Sequence, residues 1–326
     1  MAGGSQMSDN LISRQIEEYI AYKKGLGFQI RIESQELRRF AKYTREIGYE
    51  GSLKVDIAFR WATLDPAYSR WYMARRMETV ATFAAYACVF DAQAQMIPKG
   101  MFGKCHGRTL PYIYSEQEIR KLMDAARNLY SPDKLRCHSI PFGIGLLWST
   151  GMRPNEACCL LDEDVDLHLG TLTIRETKFS KSRTLPLHET TVAQLEAYIR
   201  FRDEARTDFS EPYLLITTGG RRLLLRSFEY ALQRIRDTLL EENGSWYRRP
   251  PRLYDLRHTF ACRTLLRWLL DGVNVDTKMI FLSTYLGHVK IADTYWYLTG
   301  IPELMEVISR NFEKSFSMEG GIHDED

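Results

Sequence analysis

The sequence predicts a mainly α-helical fold with one small β-hairpin, divided between a helical N-terminal domain and an α+β C-terminal domain. Apolar residues recur three and four positions apart through residues 11–90, which is the spacing of amphipathic helices. That periodicity is lost in residues 97–111, where Gly, Pro and Lys collect. Further on, GTLTIRE and RTLPLH alternate like strands and bracket the polar turn TKFSKS, a pattern typical of a β-hairpin.

The N-terminal domain is predicted at residues 8–96 and holds about four helices. Pro66 is expected to start the last of them, because proline favours the first turn of a helix. The segments before it end at Gly25, Gly27, Gly48 and Gly51. The segment 1–7, which runs up to a natural start at Met7, is interpreted as a remnant of cloning.

Residues 97–111 are interpreted as a linker, and the C-terminal domain is predicted at residues 112–302. Its first helix begins at a capping box, in which Ser115 is followed three residues later by Glu118. Helices are expected to about Leu161, then the hairpin, and then helices again from Thr190 onward. Residues 303–326 form a separate C-terminal tail.

The composition excludes several classes of protein. A chain of 326 residues with 44% hydrophobic and 12% aromatic residues can bury two cores. It has no apolar run of 18 residues, so no membrane span is predicted and a cytoplasmic location is expected. Its six cysteines show no CxxC spacing and are interpreted as reduced and structural, and no metal or cofactor is implied. No GxxxxGK[ST] segment for ATP occurs.

The formal charge of +2 is unevenly distributed. Of the 44 basic and 42 acidic residues, residues 303–326 contain two and seven, so this tail carries −5 and the remainder +7. Such a body could bind a polyanion, although ordinary solvated charge explains it equally well.

Four segments of the C-terminal domain carry the chemistry: TGMRPNEA (150–157), TKFSKSRTLPL (177–187), YDLRHTFA (254–261) and LGHVKIADTYWY (286–297). In order, spacing and flanking residues they resemble the catalytic boxes of the phage integrase and Xer-type tyrosine recombinases. The resemblance implies a helical core-binding domain joined to a tyrosine-recombinase catalytic domain. It also implies an enzyme that cuts and rejoins duplex DNA through a 3′-phosphotyrosine intermediate, without metal or ATP.

Phosphodiester cleavage concentrates negative charge on the non-bridging oxygens, and arginine forks stabilise such charge without deprotonating. The resemblance makes Arg153 and Arg257 the two catalytic arginines, and a buried structural arginine is the alternative for each. Pro154 is predicted to start a helix directly after Arg153. Glu156 lies three residues after Arg153, on the same helical face, where it can orient the guanidinium or form an ordinary surface pair.

The departing deoxyribose oxygen needs a general acid. The resemblance assigns this role to Lys178, at the end of the first hairpin strand, with Lys181 as a nearby competitor. The family usually places a histidine three residues before its second arginine, and here that position is Tyr254, which can donate a hydrogen bond but carries no positive charge near neutral pH.

The resemblance makes Tyr297 the nucleophile, nine positions after His288. It makes His288 a phosphate donor or proton carrier, and capping of a helix is the alternative role for His288. A phenolate leaves more readily than an alkoxide, so a tyrosine ester to phosphate can be reversed. Tyr295 lies two positions earlier and is expected on another helical face. His258 is interpreted as structural.

The resemblance implies double-stranded DNA as partner and a homo-tetramer in the synaptic complex, with accessory DNA-bending or partner recombinase proteins as further partners. Leu304, Ile308, Phe312 and Phe316 recur every four residues in the tail, a stripe that could dock on a neighbouring protomer or pack on its own domain. A nicking-closing enzyme of the type IB topoisomerase class and a DNA-binding regulator with a relic site remain the alternative functions.

Overall fold

The computed structural model describes residues 10–103, 110–177, 181–205, 212–240 and 249–299. It divides into two compact units, Met1–Thr109 and Leu110–Asp326. Among the described residues, no helix has the length and apolar character needed to span a bilayer.

Residues 10–103 of the first unit form four helices, as the periodicity predicts: α1 (Leu11–Gly25), α2 (Arg31–Glu46), α3 (Val55–Ala62) and α4 (Arg70–Phe90). The expectation that Pro66 starts the last helix is wrong. Pro66 lies in the turn before α4, and Ser69 caps this helix by accepting a hydrogen bond from the Tyr72 amide at 3.2 Å. A serine that satisfies a free amide defines a helix start better than a proline, which only presets φ.

A continuous apolar core holds the first unit together. Ile16 of α1, Phe40 of α2, Trp61 of α3 and Phe83 of α4 are buried in one cluster, so each helix contributes a large side chain. The rings of Phe40 and Trp61 lie 5.1 Å apart in a tilted contact.

The second unit contains eight helices and five short strands in its described part. In chain order they are α5 (Glu116–Arg127), α6 (Leu135–Thr150), α7 (Pro154–Cys159), β1 (Val165–Asp166), β2 (Thr171–Thr177), β3 (Lys181–Pro186), α8 (Glu189–Ala205), β4 (Ile216–Thr217), β5 (Arg221–Arg222), α9 (Leu225–Ile235), α10 (Leu253–Leu270), α11 (Val275–Leu286) and α12 (Ala292–Thr299). The capping box of Ser115 and Glu118 is present at the start of α5, which confirms that prediction.

The predicted hairpin is confirmed as β2 and β3, which pair antiparallel with Thr171 opposite Pro186 and a bulge between Ile174 and Thr177. The two-residue strand β1 adds a third strand to this sheet. The expectation of helices alone after Thr190 is wrong, because β4 and β5 form a second small sheet. Two glycines with positive φ between them reverse the chain within a few residues.

Helix α10 packs against α6, α11 and α12. It therefore lies among the helices that carry or adjoin the segments around Arg153, Arg257 and Tyr297. Helices α6 and α11 both end at a glycine in the left-handed conformation, Gly151 and Gly287. These two helix ends bring the segments around Arg153 and His288 to the same side of α10.

Candidate active site

Arg153 and Glu156 form an ion pair at the start of α7. Arg153 is the residue before the helix and Pro154 is its first residue, as the sequence predicts. The Arg153 Nη1 donates to Glu156 Oε1 at 2.7 Å, and its backbone amide donates to Oε2 at 2.9 Å. Burial lowers the pKa of Arg153, but Glu156 outweighs burial and leaves that pKa above its ordinary value. The guanidinium is therefore fixed in place and fully charged.

Arg183 of β3 completes this cluster, and the sequence analysis missed it. Its Nη1 and Nη2 donate to the two carboxylate oxygens of Glu156 at 3.1 and 2.7 Å, and its Nε donates to the Tyr285 carbonyl at 2.9 Å. Burial raises the pKa of Glu156, but the hydrogen bonds and charges of Arg183 and Arg153 outweigh it and hold that pKa below its ordinary value. The sequence did contain a signal. Arg183 lies two positions before the buried Leu185, so the two side chains share one face of the strand.

Arg257 lies fully buried in α10. Its Nη1 donates to the Gly151 carbonyl at 3.0 Å and its Nη2 to the Leu286 carbonyl at 2.5 Å. Its Nε is buried and finds no acceptor within the described ranges. Burial, and then the positive charge of Arg153, lower the pKa of Arg257 to about 10. This guanidinium is held by neutral carbonyls and retains an unused donor.

The two helix-ending glycines are required by close approaches at the site. A Cβ on Gly151 would lie 2.4 Å from Phe260 Cδ1, and one on Gly287 would lie 3.0 Å from Arg183 Nη1. Both residues have a positive φ, which glycine adopts without strain. Their carbonyls accept from Arg257 and, at 2.9 Å, from the Nη2 of Arg153, so each helix end anchors one arginine.

His288 follows Gly287 directly and lies beside the arginines. Its Nδ1 is 2.7 Å from the Thr294 hydroxyl oxygen in α12. Burial, followed by the charges of Arg257 and Arg153, lowers the pKa of His288 to about 4. The imidazole is therefore neutral at neutral pH, when it can donate one hydrogen bond and accept another.

Tyr297 lies on α12 with its side chain buried. Its hydroxyl oxygen is 3.1 Å from the Nδ1 of His258, and its ring centroid is 6.3 Å from that of His288. Tyr295 lies elsewhere, with its hydroxyl donating to Asp276 at 3.0 Å. Of these two tyrosines, Tyr297 is the one beside the arginine cluster.

The sequence analysis assigned His258 only a structural role. It is one helical turn after Tyr254 in α10, and the two rings lie 5.2 Å apart. Tyr254 is 41% exposed, and its hydroxyl is close enough to Arg153 to help raise the pKa of that guanidinium. Burial is the main reason why the pKa of His258 is lowered to about 4.

Lys178 lies outside the described residues, between β2 and β3.

The charges within this cluster do not balance. Arg153, Arg183 and Arg257 contribute three positive charges and Glu156 one negative charge, which leaves two positive charges among these four side chains. A bound anion would relieve the repulsion between the arginines and satisfy the unused donor of Arg257. The described residues contain no group of three or more His, Cys, Asp or Glu placed to hold a metal ion. The arrangement places two unbalanced positive charges and an unused donor beside a tyrosine hydroxyl.

Comparison with known proteins identifies the family to which the chain belongs. The signature of the phage integrase family matches residues 113–300. The chain is 37% identical over 307 residues to a protein of Sinorhizobium fredii named integrase/recombinase y4rB, across 92% of this chain and 96% of that protein. It is 31% identical over 190 residues to tyrosine recombinase XerA of Pyrococcus furiosus, across 58% of each chain.

A solved structure shows the same fold. The integrase of transposon Tn1549, in complex with transposon right-end DNA, superposes with a TM-score of 0.64 at 15% identity, over 92% of this chain and 98% of that one. The fold and the matched sequence together define a tyrosine-type site-specific recombinase. The chain belongs to the phage integrase family.

Proposed function

We propose that this protein cuts and rejoins double-stranded DNA at specific sites through a covalent 3′-phosphotyrosine link to Tyr297. The observation that carries the proposal is the excess of positive charge around Arg153 and Arg257 beside a tyrosine hydroxyl. A DNA phosphodiester supplies the anion that the cluster lacks. Tyrosine supplies a nucleophile whose ester to phosphate can be reversed.

The proposed reaction divides the work among the predicted residues. Arg153, Arg257 and the neutral His288 donate to the non-bridging oxygens, where charge develops in the transition state. The Tyr297 oxygen forms its bond to phosphorus while the bond to the deoxyribose 5′ oxygen breaks, and Lys178 protonates that leaving oxygen. Tyr254 adds a neutral hydrogen bond to the phosphate. The free energy of the broken bond is retained in the phosphotyrosine, so rejoining needs no ATP.

The partners follow from the same proposal. The Tn1549 integrase was solved with transposon DNA, and we extend duplex DNA binding to this chain. Four protomers on two sites would perform the exchange in the cytoplasm, with residues 303–326 bridging protomers and with accessory DNA-bending or partner recombinase proteins assisting. Contacts of Lys and Arg side chains to phosphates would provide most of the affinity for DNA. Contacts of other side chains to base edges in the grooves would select the DNA sequence. Integration, excision and resolution of DNA are the outcomes that such an exchange produces.

The test is covalent trapping. DNA fragments flanking the gene are incubated with the protein, and the bound site is rebuilt as a nicked duplex from which the cleaved end diffuses away. The parent and Tyr295→Phe should accumulate a protein–DNA adduct. Tyr297→Phe should bind the same DNA equally tightly and form none, because only the hydroxyl is lost.

Two outcomes would replace the proposal. A parent that binds DNA without any adduct is a DNA-binding regulator. A parent that relaxes supercoiled plasmid without site preference is a nicking-closing enzyme of the topoisomerase class. An adduct that persists in Tyr297→Phe would move the nucleophile to another residue.

A further inference from the structure

The contact between His258 and Tyr297 has a chemical consequence. The Tyr297 hydroxyl oxygen lies 3.1 Å from Nδ1 of His258, within the distance of a hydrogen bond, and the two rings meet edge to face at 5.5 Å. His258 is held on α10 directly after Arg257, so the imidazole and the guanidinium that binds phosphate are set by the same helical turn. A phenol must lose its proton when it attacks phosphorus, and Nδ1 of His258 lies within hydrogen-bond distance to receive it.

We propose that His258 is a catalytic residue that accepts the phenolic proton of Tyr297 during cleavage and returns it during rejoining. The inference rests on the proposed function, since it names the base for the same reaction. It requires the imidazole proton to sit on Nε2, so that the lone pair of Nδ1 faces the hydroxyl.

The step balances without any other reactant. As the bond between Tyr297 Oη and phosphorus forms, the O–H bond breaks and its proton passes to Nδ1, which makes His258 transiently cationic. The bond from phosphorus to the 5′ oxygen breaks, and that oxygen takes a proton from a separate acid. In rejoining, the 5′ hydroxyl attacks phosphorus and returns its proton to the group that acted as the acid, and the departing phenolate recovers its own proton from Nδ1.

Other groups around the hydroxyl are less suited to this role. The Nδ1 of His288 is engaged with Thr294, and arginines carry no lone pair that could accept the proton. The carboxylate of Asp255 is held by Arg249, which donates to both of its oxygens at 2.8 Å. Burial lowers the pKa of His258 to about 4, so its lone pair is available throughout the neutral range. The titratable and charged groups that face His258 are Tyr254, Asp255, Arg257, Arg252, Arg249, His288 and Tyr297.

The test compares the parent with His258→Asn, which can accept a hydrogen bond in the same place but cannot take up a proton. Single-turnover formation of the Tyr297 adduct is measured on the nicked duplex from pH 6 to pH 9.5. We expect a loss of about 10²- to 10⁴-fold at pH 7, the usual contribution of a general base. The ratio of parental to variant rate should fall about tenfold per pH unit as the pH rises, because the variant depends on phenolate, whose fraction below the pKa of a phenol grows tenfold per pH unit. The exposed His188→Asn is the matched control and should retain the parental rate.

A second substrate separates the two proton transfers. Sulfur in place of the bridging 5′ oxygen leaves without protonation, so it should restore a variant that lacks the acid but not His258→Asn. Restoration of His258→Asn by this substrate, a rate ratio near one, or a reduced rate whose ratio stays constant with pH would overturn the proposal. If the variant fails to bind DNA, the ¹⁵N NMR shifts of the parental imidazole decide instead, and a proton found on Nδ1 would exclude it. A parent that forms no adduct overturns the proposed function itself.

Discussion

Replacement of Glu156 by glutamine tests the charge arrangement at the site more sharply than replacement of either arginine. The carboxylate accepts from the Arg153 amide, from the Arg153 side chain and twice from Arg183, at 2.7 to 3.1 Å. Glutamine has almost the same shape, but it carries no charge and must present an NH₂ group to one of the guanidinium groups. Glu156→Gln therefore removes the single negative charge from a cluster that contains three arginines.

The expected cost is large because these side chains are mostly buried. Side-chain exposure is 10% for Glu156, 11% for Arg183 and 28% for Arg153. Removing one partner from a buried ion pair costs about 3–5 kcal/mol, and the partial exposure of Arg153 favours the lower end, about 3 kcal/mol. For a unit of this size that corresponds to a fall in Tm of about 10 °C. Glu163→Gln is the control, because it removes only an exposed partner of Arg175 and should cost at most about 1 kcal/mol.

Thermal unfolding of the full chain from pH 7 down to pH 3 measures both the size of the effect and its origin. The surrounding arginines hold the pKa of Glu156 below its ordinary value, so the stability it contributes is present above pH 4.5 and is lost as the pH falls through the lowered pKa. The gap between parent and Glu156→Gln should therefore narrow at low pH. A gap below about 0.5 kcal/mol at pH 7, or one that does not change with pH, would refute the assigned role of this carboxylate.

Four further outcomes are expected. Arg153→Ala and Arg257→Ala should each lower cleavage by about 10²-fold or more while leaving a gel-shift complex with DNA, and a near-parental rate in either would contradict the assignment. EDTA should leave the rate of adduct formation unchanged, and strict dependence of cleavage on Mg²⁺ would contradict the scheme. Because burial lowers the pKa of both His258 and His288 to about 4, each should cost the folded protein about 3 kcal/mol between pH 6.5 and pH 4, and denaturation of His258→Asn should show a loss about 3 kcal/mol smaller than that of the parent. Deletion of residues 303–326 should preserve or strengthen binding of one protomer to DNA at matched salt but prevent assembly on two sites, and a truncated protein that still recombines would mean that the tail packs on its own domain.

The main elements of the fold could be read from the sequence because they depend on local signals. The capping box at Ser115 and the alternating strands after Gly170 are both present in the structure. The start of α4 was misplaced at Pro66 because a proline in a turn and a proline in a first helical turn look alike in a sequence. Strands β4 and β5 are two residues each, too short for any alternation to appear.

The site was only partly accessible to such reasoning. Matched segments identified Arg153 and Tyr297, but their partners come from distant parts of the chain. Arg183 meets Glu156 across 27 positions and His258 meets Tyr297 across 39, and no periodicity within one element reports such contacts. The carbonyls that hold the arginines were equally hidden, since every residue has one and only the folded chain shows which are used.

The end of α11 holds both Arg153 and Arg257 through consecutive peptide groups. Leu286 accepts from Arg257 and Gly287 accepts from Arg153, and the next residue, His288, leads into the helix that carries Tyr297. A small rotation of these two peptides would withdraw both acceptors at once and displace the start of α12 together with them. A contact that shifts the end of α11 would therefore change the positions of Arg153, Arg257 and Tyr297 together, without touching Tyr297 itself.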